Sequence, residues 1–107
     1  MTGFVLYEPA LVRIEDIYDY SLRQWGQVQA DLYLDGLFAT FAEIADRQSQ
    51  WRPTPSEYRW NGYFRRYRRH IIFWRENGDG KVGIVTVLHD QMDLSARLRE
   101  DIEAVDL

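Results

Sequence analysis

The chain has 107 residues, 46% hydrophobic and 15% aromatic, and a net charge of −4 from 13 basic and 17 acidic side chains. A chain of this size forms one domain that buries roughly two-thirds of its unfolded surface, and its apolar content excludes disorder. Without cysteine, disulfide frameworks and Cys-based metal sites are excluded. No apolar run approaches the ~18–20 residues of a membrane span, and the start MTGFVLYEP lacks the basic and apolar regions of a signal peptide, so a cytoplasmic domain is expected.

In chain order, residues 3–8 (GFVLYE) form a short β-rich run ending at Pro9, read as a first strand. Pro9 suits the first turn of a helix, where its missing N–H costs nothing. Ala10, Leu11, Ile14, Ile17, Tyr18 and Leu22 then fall on a helical stripe, with Glu15, Asp16, Asp19 and Arg23 outside it. Trp25-Gly26 ends that helix, the glycine being free to take positive φ. A second helix is expected from Gln27 to about Arg47, with the stripe Ala30, Tyr33, Leu34, Leu37, Phe38, Phe41, Ile44 and Ala45. So short a link makes the two helices an antiparallel hairpin. Gly36 costs the second helix roughly 1 kcal/mol against alanine, which points to close approach of the other helix or of a strand.

Residues 48–57 (QSQWRPTPSE), with two prolines, read as a loop. Two strands follow at about 61–67 and 70–76, joined by a tight turn at Arg68-Arg69 that has no glycine. Asn77-Gly78-Asp79-Gly80 is a clear hairpin turn. Residues 81–89 (KVGIVTVLH) are rich in β-branched residues and apolar enough for a central strand. Leu94, Leu98, Ile102 and Val105 mark a short amphipathic C-terminal helix, with Asp93 as its N-cap. The order β-α-α-β-β-β-α predicts an α+β domain, a helical hairpin packed on a mostly antiparallel sheet.

The most unusual stretch is 58–75, YRWNGYFRRYRRHIIFWR, with six arginines and seven aromatics. It carries +6 against −4 for the whole chain, which leaves −10 for the other 89 residues. Such asymmetry bears on partners: a polyanion or the acidic face of another protein. The alternative is a solvated sheet face whose arginine stems cover the aromatics. Conventional catalytic patterns are missing: no Gly-rich phosphate loop, no HExxH, no cysteine nucleophile. Serines Ser21, Ser49, Ser56 and Ser95 have no activating context. A metal-free ribonuclease could clamp phosphate with arginines, but it also needs a matched general acid and base. Tyr63, Tyr67, His70, His89 and Asp93 are the available groups, and no two are evidently paired. His70 sits beside Arg68 and Arg69, whose charge disfavours its protonation, and Asp90 could hold one tautomer of His89. The structural reading of both histidines is as hydrogen-bonded residues at strand ends. No cofactor or metal is implied.

Taken together, the motifs resemble a known family. The helix junction Tyr20-Ser-Leu-Arg-Gln-Trp-Gly-Gln-Val-Gln-Ala30 is similar to the Y-x4-WG-x2-QA pattern of ParE toxins, a branch of the RelE/ParE superfamily of bacterial type II toxin–antitoxin modules. Tyr33, Leu37, Phe41 and Gly62-Tyr63 also match. His70-Ile-Ile-Phe-Trp-Arg75 resembles H-x-IFYR, and Ile84–Asp93 resembles I-V-R-V-L-H-x-R-M-D. Departures are the loop QSQWRPTPSE in place of a Pro-x-x-Gly loop, Trp74 for tyrosine, and Thr86 and Gln91 at arginine positions. Residues 94–107 form a C-terminal helical extension to a single toxin domain, 1–107.

The resemblance implies a toxin that inhibits DNA gyrase by binding and is no enzyme. Its partner is then a small ParD-like antitoxin whose acidic tail folds onto the toxin, so that nucleic acid is met only indirectly, through the antitoxin–operator complex. The contact residues it suggests, for antitoxin or target, are Trp60, Tyr63, Arg65, Arg66, Arg68 and Arg75, with Trp25, Leu37, Phe41, Ile72 and Val85 in the core. The RelE branch, which cleaves mRNA on the ribosome, is the alternative. Its C-terminal Arg and Tyr have no counterpart here, since no tyrosine follows Tyr67 and Gln91 or Met92 stands where the arginine belongs.

Overall fold

The computed structural model describes residues 3–48 and 50–105. Ser49, the first two residues and the last two positions of the 94–107 extension lie outside the described residues. Strand β1 (Phe4–Leu6) leads directly into helix α1 (Glu8–Trp25), with Pro9 in its first turn. Gly26 takes φ 88° and ψ 173°, a conformation open only to glycine, and α2 (Gln27–Ala45) starts at the next residue. A two-residue strand β2 (Arg52–Pro53) and a 3-10 turn (Ser56–Tyr58) precede β3 (Tyr63–Tyr67), β4 (His70–Glu76), β5 (Val82–His89) and α3 (Leu94–Ala104).

The five strands lie in the order β1-β5-β4-β3-β2, with β1 parallel to β5 and every other pair antiparallel. The expected α+β class, with a helical hairpin on a mostly antiparallel sheet, is the one observed. β5 is buried from Val82 to Leu88, as the uninterrupted apolar run of a central strand requires. One sheet face presents Ile72, Trp74, Val82, Ile84 and Val87 to Ala10, Ile14 and Ile17 of α1 and Leu37, Phe41 and Ile44 of α2. The other presents Ile71, Phe73, Val85 and Leu88 to Leu98 and Ile102 of α3. The C-terminal helix therefore packs on the sheet, with Asp93 capping it by accepting the Ala96 N–H at 3.2 Å.

Between these layers the β4–β5 register shifts. Phe73 pairs with Thr86 and Trp74 with Ile84, so Val85 is the extra residue of a β-bulge. The bulge turns Val85 and Thr86 towards the same helix: Val85 joins the Leu98 cluster, and the buried Thr86 hydroxyl donates to Asp101 at 2.7 Å. Asp101 also receives Arg13 of α1 at 3.1 and 3.3 Å. Thr86 thus helps tie α3 to α1 and the sheet.

Gly36 makes the close approach that its place in a helix suggested. A Cβ there would lie 2.1 Å from the Tyr67 hydroxyl of β3. The part of the expected loop from residue 50 to 57 is more ordered than a loop: Arg52–Pro53 forms the outermost strand, where a proline forfeits no inner ladder bond. Trp51 anchors it, packing at a tilt against Tyr63 (centroids 4.9 Å apart, 56° between planes) while its indole N–H donates to the Ile44 carbonyl at 3.1 Å. In the Arg68-Arg69 turn, Arg68 takes φ 52°, a conformation costly for a non-glycine residue.

Candidate docking groove

The six residues suggested as contacts do not form one surface. Alternation along β3 sends Tyr63 and Arg65 to the α1–α2 face and Phe64 and Arg66 to the other. Tyr63 stacks on Trp74 (6.1 Å, 28° between planes), and Trp60 packs edge-on to Phe73 (6.5 Å). Both are half-buried parts of the two cores. Arg65 is paired with Glu43 of α2 at 3.0 Å and Arg66 with Asp90 at 2.8 Å. At the far end of β4, Arg75 donates to the Tyr7 hydroxyl at 3.2 and 2.9 Å and lies 5.2 Å from that ring. Of the six, Arg68 lines a cavity with apolar walls, and among the described residues neither it nor Arg69 is in an ion pair.

That cavity is a groove of about 880 Å³ between the end of α1, the β3–β4 turn and the end of β5. Its origin is a mismatch of lengths. Helix α1 begins beside Ile84, where Tyr7 N–H bonds the Ile84 carbonyl, and its 18 residues extend about 27 Å at 1.5 Å each. The remaining run of β5, from Ile84 to His89, spans only about 17 Å. The last turns of α1 outrun the sheet, and the helix face that would have met more strand is left open. Tyr20 and Trp25, at 56% and 69% exposure, form its aromatic wall. Trp25 is therefore not core. Leu37, Phe41, Ile72 and Val85, grouped with it in the sequence reading, are all at 0%. Met92 closes the far side, and Arg68 and Arg69 stand on the rim.

The floor holds two histidines on adjacent strands. His70 and His89 are cross-strand partners with ring centroids 5.1 Å apart, nearly perpendicular. His70 Nδ1 lies 2.6 Å from the Tyr33 hydroxyl. In the tautomer whose Nδ1 accepts the hydroxyl proton, the ring proton lies on Nε2. Burial, then the neighbouring His89, push the His70 pKa down to about 4. Burial, not Arg68 and Arg69, is thus the main reason it stays neutral. His89 Nδ1 accepts the Gln91 N–H at 3.0 Å, so its neutral ring also carries the proton on Nε2. Asp90, 3.4 Å from His89, was the expected tautomer-setting partner, but the Gln91 amide does that. The Arg66 guanidinium holds the Asp90 carboxyl below the usual carboxylate range.

Chemically, the groove offers donors and cations on its floor and rim, and Asp16 on the α1 wall is the one carboxylate of its lining. Tyr20, Trp25, Arg69 and Met92 were missed as site residues. A signal was present: the α1 stripe Ala10, Ile14, Ile17, Ser21 continues at four-residue spacing to Trp25, longer than the strands have length to cover.

A helical hairpin and a C-terminal helix on opposite faces of a sheet with a parallel β1–β5 pair define the α+β fold of this chain. It is similar to a solved chromosomal ParDE TA system from P. aeruginosa, with a TM-score of 0.68 at 14% identity over 83% of this chain and 96% of that one. Residues 5–94 match the family model for the ParE toxin of type II toxin–antitoxin systems, parDE. Toxin ParE1 of Caulobacter vibrioides is 33% identical over 99 residues, covering 92% of this chain and 99% of its own. Toxin ParE1 of Mycobacterium tuberculosis is 31% identical over 106 residues, covering 89% and 96%, and Toxin ParE of Escherichia coli 26% over 103 residues, covering 96% and 99%. The chain belongs to the ParE toxin family of type II toxin–antitoxin systems. The family match stops at residue 94, where α3 begins.

Proposed function

We propose that this chain is a toxin that acts by binding DNA gyrase in the cytoplasm, and that a ParD-like antitoxin silences it by laying an acidic, amphipathic segment in the α1 groove. The observation that carries the antitoxin half is the groove's composition. Exposed Tyr20 and Trp25 supply the apolar contact that stabilises an ordered segment, and Arg68 and Arg69, free of ion pairs among the described residues, supply charge complementarity. Of the contact residues suggested by resemblance, Arg68 is the one this reading retains at the centre. Arg65, Arg66 and Arg75 act through the shape of the sheet they hold, and Trp60 and Tyr63 through its packing.

Action by binding fits a groove in which His89 has its Nδ1 lone pair engaged by the Gln91 N–H. No helix among the described residues is long and apolar enough to cross a membrane. The test is DNA supercoiling by purified gyrase with the purified chain added. Inhibition that disappears on adding the antitoxin is the expected result. Unaffected supercoiling, with growth arrest retained in cells, overturns the target. Ribosome-dependent mRNA cleavage in the same preparation would favour the RelE-type alternative.

A further inference from the structure

Two arginines on the rim of the α1 groove account for attraction to an acidic partner but not for where its carboxylates come to rest. The floor supplies that. Neither His70 Nε2 nor His89 Nε2 has a hydrogen-bond partner, and neither is among the sealed, unsatisfied polar atoms, so both reach the open groove. With its Nδ1 accepting the Gln91 N–H, neutral His89 carries its proton on Nε2 and donates from there, and His70 does the same in the tautomer whose Nδ1 accepts the Tyr33 hydroxyl proton. They are held rigidly, since the rings sit on paired residues of adjacent strands, and His70 is fixed further by Tyr33. Two donors on rings whose centroids lie 5.1 Å apart, below two guanidinium groups, suit the two oxygens of a carboxylate.

We propose that His70 and His89, with Arg68 and Arg69 above them, form a receptor for one glutamate or aspartate side chain of an amphipathic protein segment whose apolar side rests on Tyr20, Trp25 and Met92. This rests on reading the groove as a protein-docking site. A protein segment fits better than a nucleic acid on two grounds. Asp16, the one acid of the lining, stands on the α1 wall, where it repels a continuous phosphate backbone but tolerates a segment with acids on one side only. The chain outside residues 58–75 is strongly acidic, and nearby Asp19 and Asp31 on the hairpin extend that repulsion. Asp16 also sets polarity: the acidic side of the segment faces the Arg68-Arg69 turn, and a neutral or basic residue faces α1.

The receptor also has a selectivity that charge alone lacks. Rim arginines attract any anion at long range, but a carboxylate must reach the floor to meet both imidazoles. The contribution is therefore positional, with one acid of the segment mattering far more than its neighbours.

The experiment uses the full chain and three probes: a 16-residue helical peptide with leucines at i and i+4 and glutamates on one flank, the same peptide with glutamines, and a 12-nucleotide single-stranded RNA. Binding is read by calorimetry and by the ring ¹⁵N resonances of His70 and His89. The glutamate peptide should bind and shift both Nε2 resonances, and the glutamine peptide should bind about 10-fold more weakly or worse, the size of a lost charged hydrogen bond. His89→Gln, whose amide can place an N–H near Nε2, should retain binding that His89→Phe loses. Arg68→Asn, at an exposed turn where asparagine accepts the positive φ, weakens binding without touching the core, and decides the matter if His89→Phe does not fold. Equal binding of the two peptides, absence of binding by the glutamate peptide, or RNA binding more tightly than either overturns the receptor. None of these outcomes involves gyrase, so failure here is separate from failure of the supercoiling assay.

Discussion

Replacing Gly36 by alanine should destabilise this protein even though alanine is the better helix former. In an exposed helix interior Gly→Ala stabilises by about 1 kcal/mol. Here the added methyl would sit 2.1 Å from the Tyr67 hydroxyl and 3.0 Å from its ring carbon Cζ. Ordinary contact needs roughly 3.4 Å or more, so the ring must retreat by over 1 Å or α2 must lift from the sheet. Tyr67 is not a flexible end that can swing away: it packs edge-on to Tyr33 at 5.1 Å and donates to the Tyr33 carbonyl at 3.0 Å. Losing that bond costs about 1 kcal/mol and the overpacking a further 1–3 kcal/mol. Against the propensity gain, the net loss is about 1–3 kcal/mol. Urea unfolding of Gly36→Ala measures it, with Gly36→Ala/Tyr67→Phe as the control. Removing the hydroxyl removes the shortest overlap, so the double variant should recover part of the loss relative to Tyr67→Phe alone. A Gly36→Ala protein as stable as the parent would refute the account of why glycine stands in this helix.

Asp101→Asn should cost about 2–3 kcal/mol, because it leaves Arg13, at 21% side-chain exposure, without its anion; a loss below 0.5 kcal/mol in denaturant unfolding contradicts the role of Asp101 as the tie between α1, α3 and Thr86. Replacing the whole group together, as Arg13→Met/Thr86→Val/Asp101→Leu, should cost less than Asp101→Asn alone, measured in the same way. The folded pKa of His70, about 4, lies below its unfolded value of about 6.5. Protonation therefore favours the unfolded state: stability is level above about pH 6.5 and declines as pH falls towards 4. Discounted for the ring's partial contact with solvent, the decline at pH 5 is about 1 kcal/mol. His70→Gln should remove it, and an NMR titration placing His70 near 6.5 would contradict its burial. Trp25→Ala should leave stability within about 0.5 kcal/mol of the parent, as befits a side chain 69% exposed; the same change should weaken an acidic partner by about 10-fold in calorimetry.

Periodicity and turn chemistry made most of the fold legible. The α2 stripe, the Asn77–Gly80 turn, the buried β5 run and the Asp93 cap each rest on short-range rules that the packing reinforces. The β2 edge strand was not legible, because Pro53 in it and Pro55 after it signal a break and its order comes from a distant contact, Trp51 against Tyr63 and Trp74. Nor was the fate of the arginines. Composition showed a +6 stretch, but strand alternation divides its side chains between two faces, and Glu43 and Asp90, far away in sequence, neutralise Arg65 and Arg66. The groove was hidden for a related reason: it arises where a long helix passes a short sheet, and a local pattern carries no measure of that difference. Trp25, at the right spacing for core, lies where no strand remains to cover it.

The most direct test of the groove as the docking site is an amide chemical-shift map of the ¹⁵N-labelled chain bound to the acidic C-terminal segment of its own antitoxin. The account predicts that the largest changes fall on Tyr20, Trp25, Arg68, Arg69, His89 and Met92. Changes centred on Trp60, Arg75 and the far end of β4, with the groove unmoved, would contradict it.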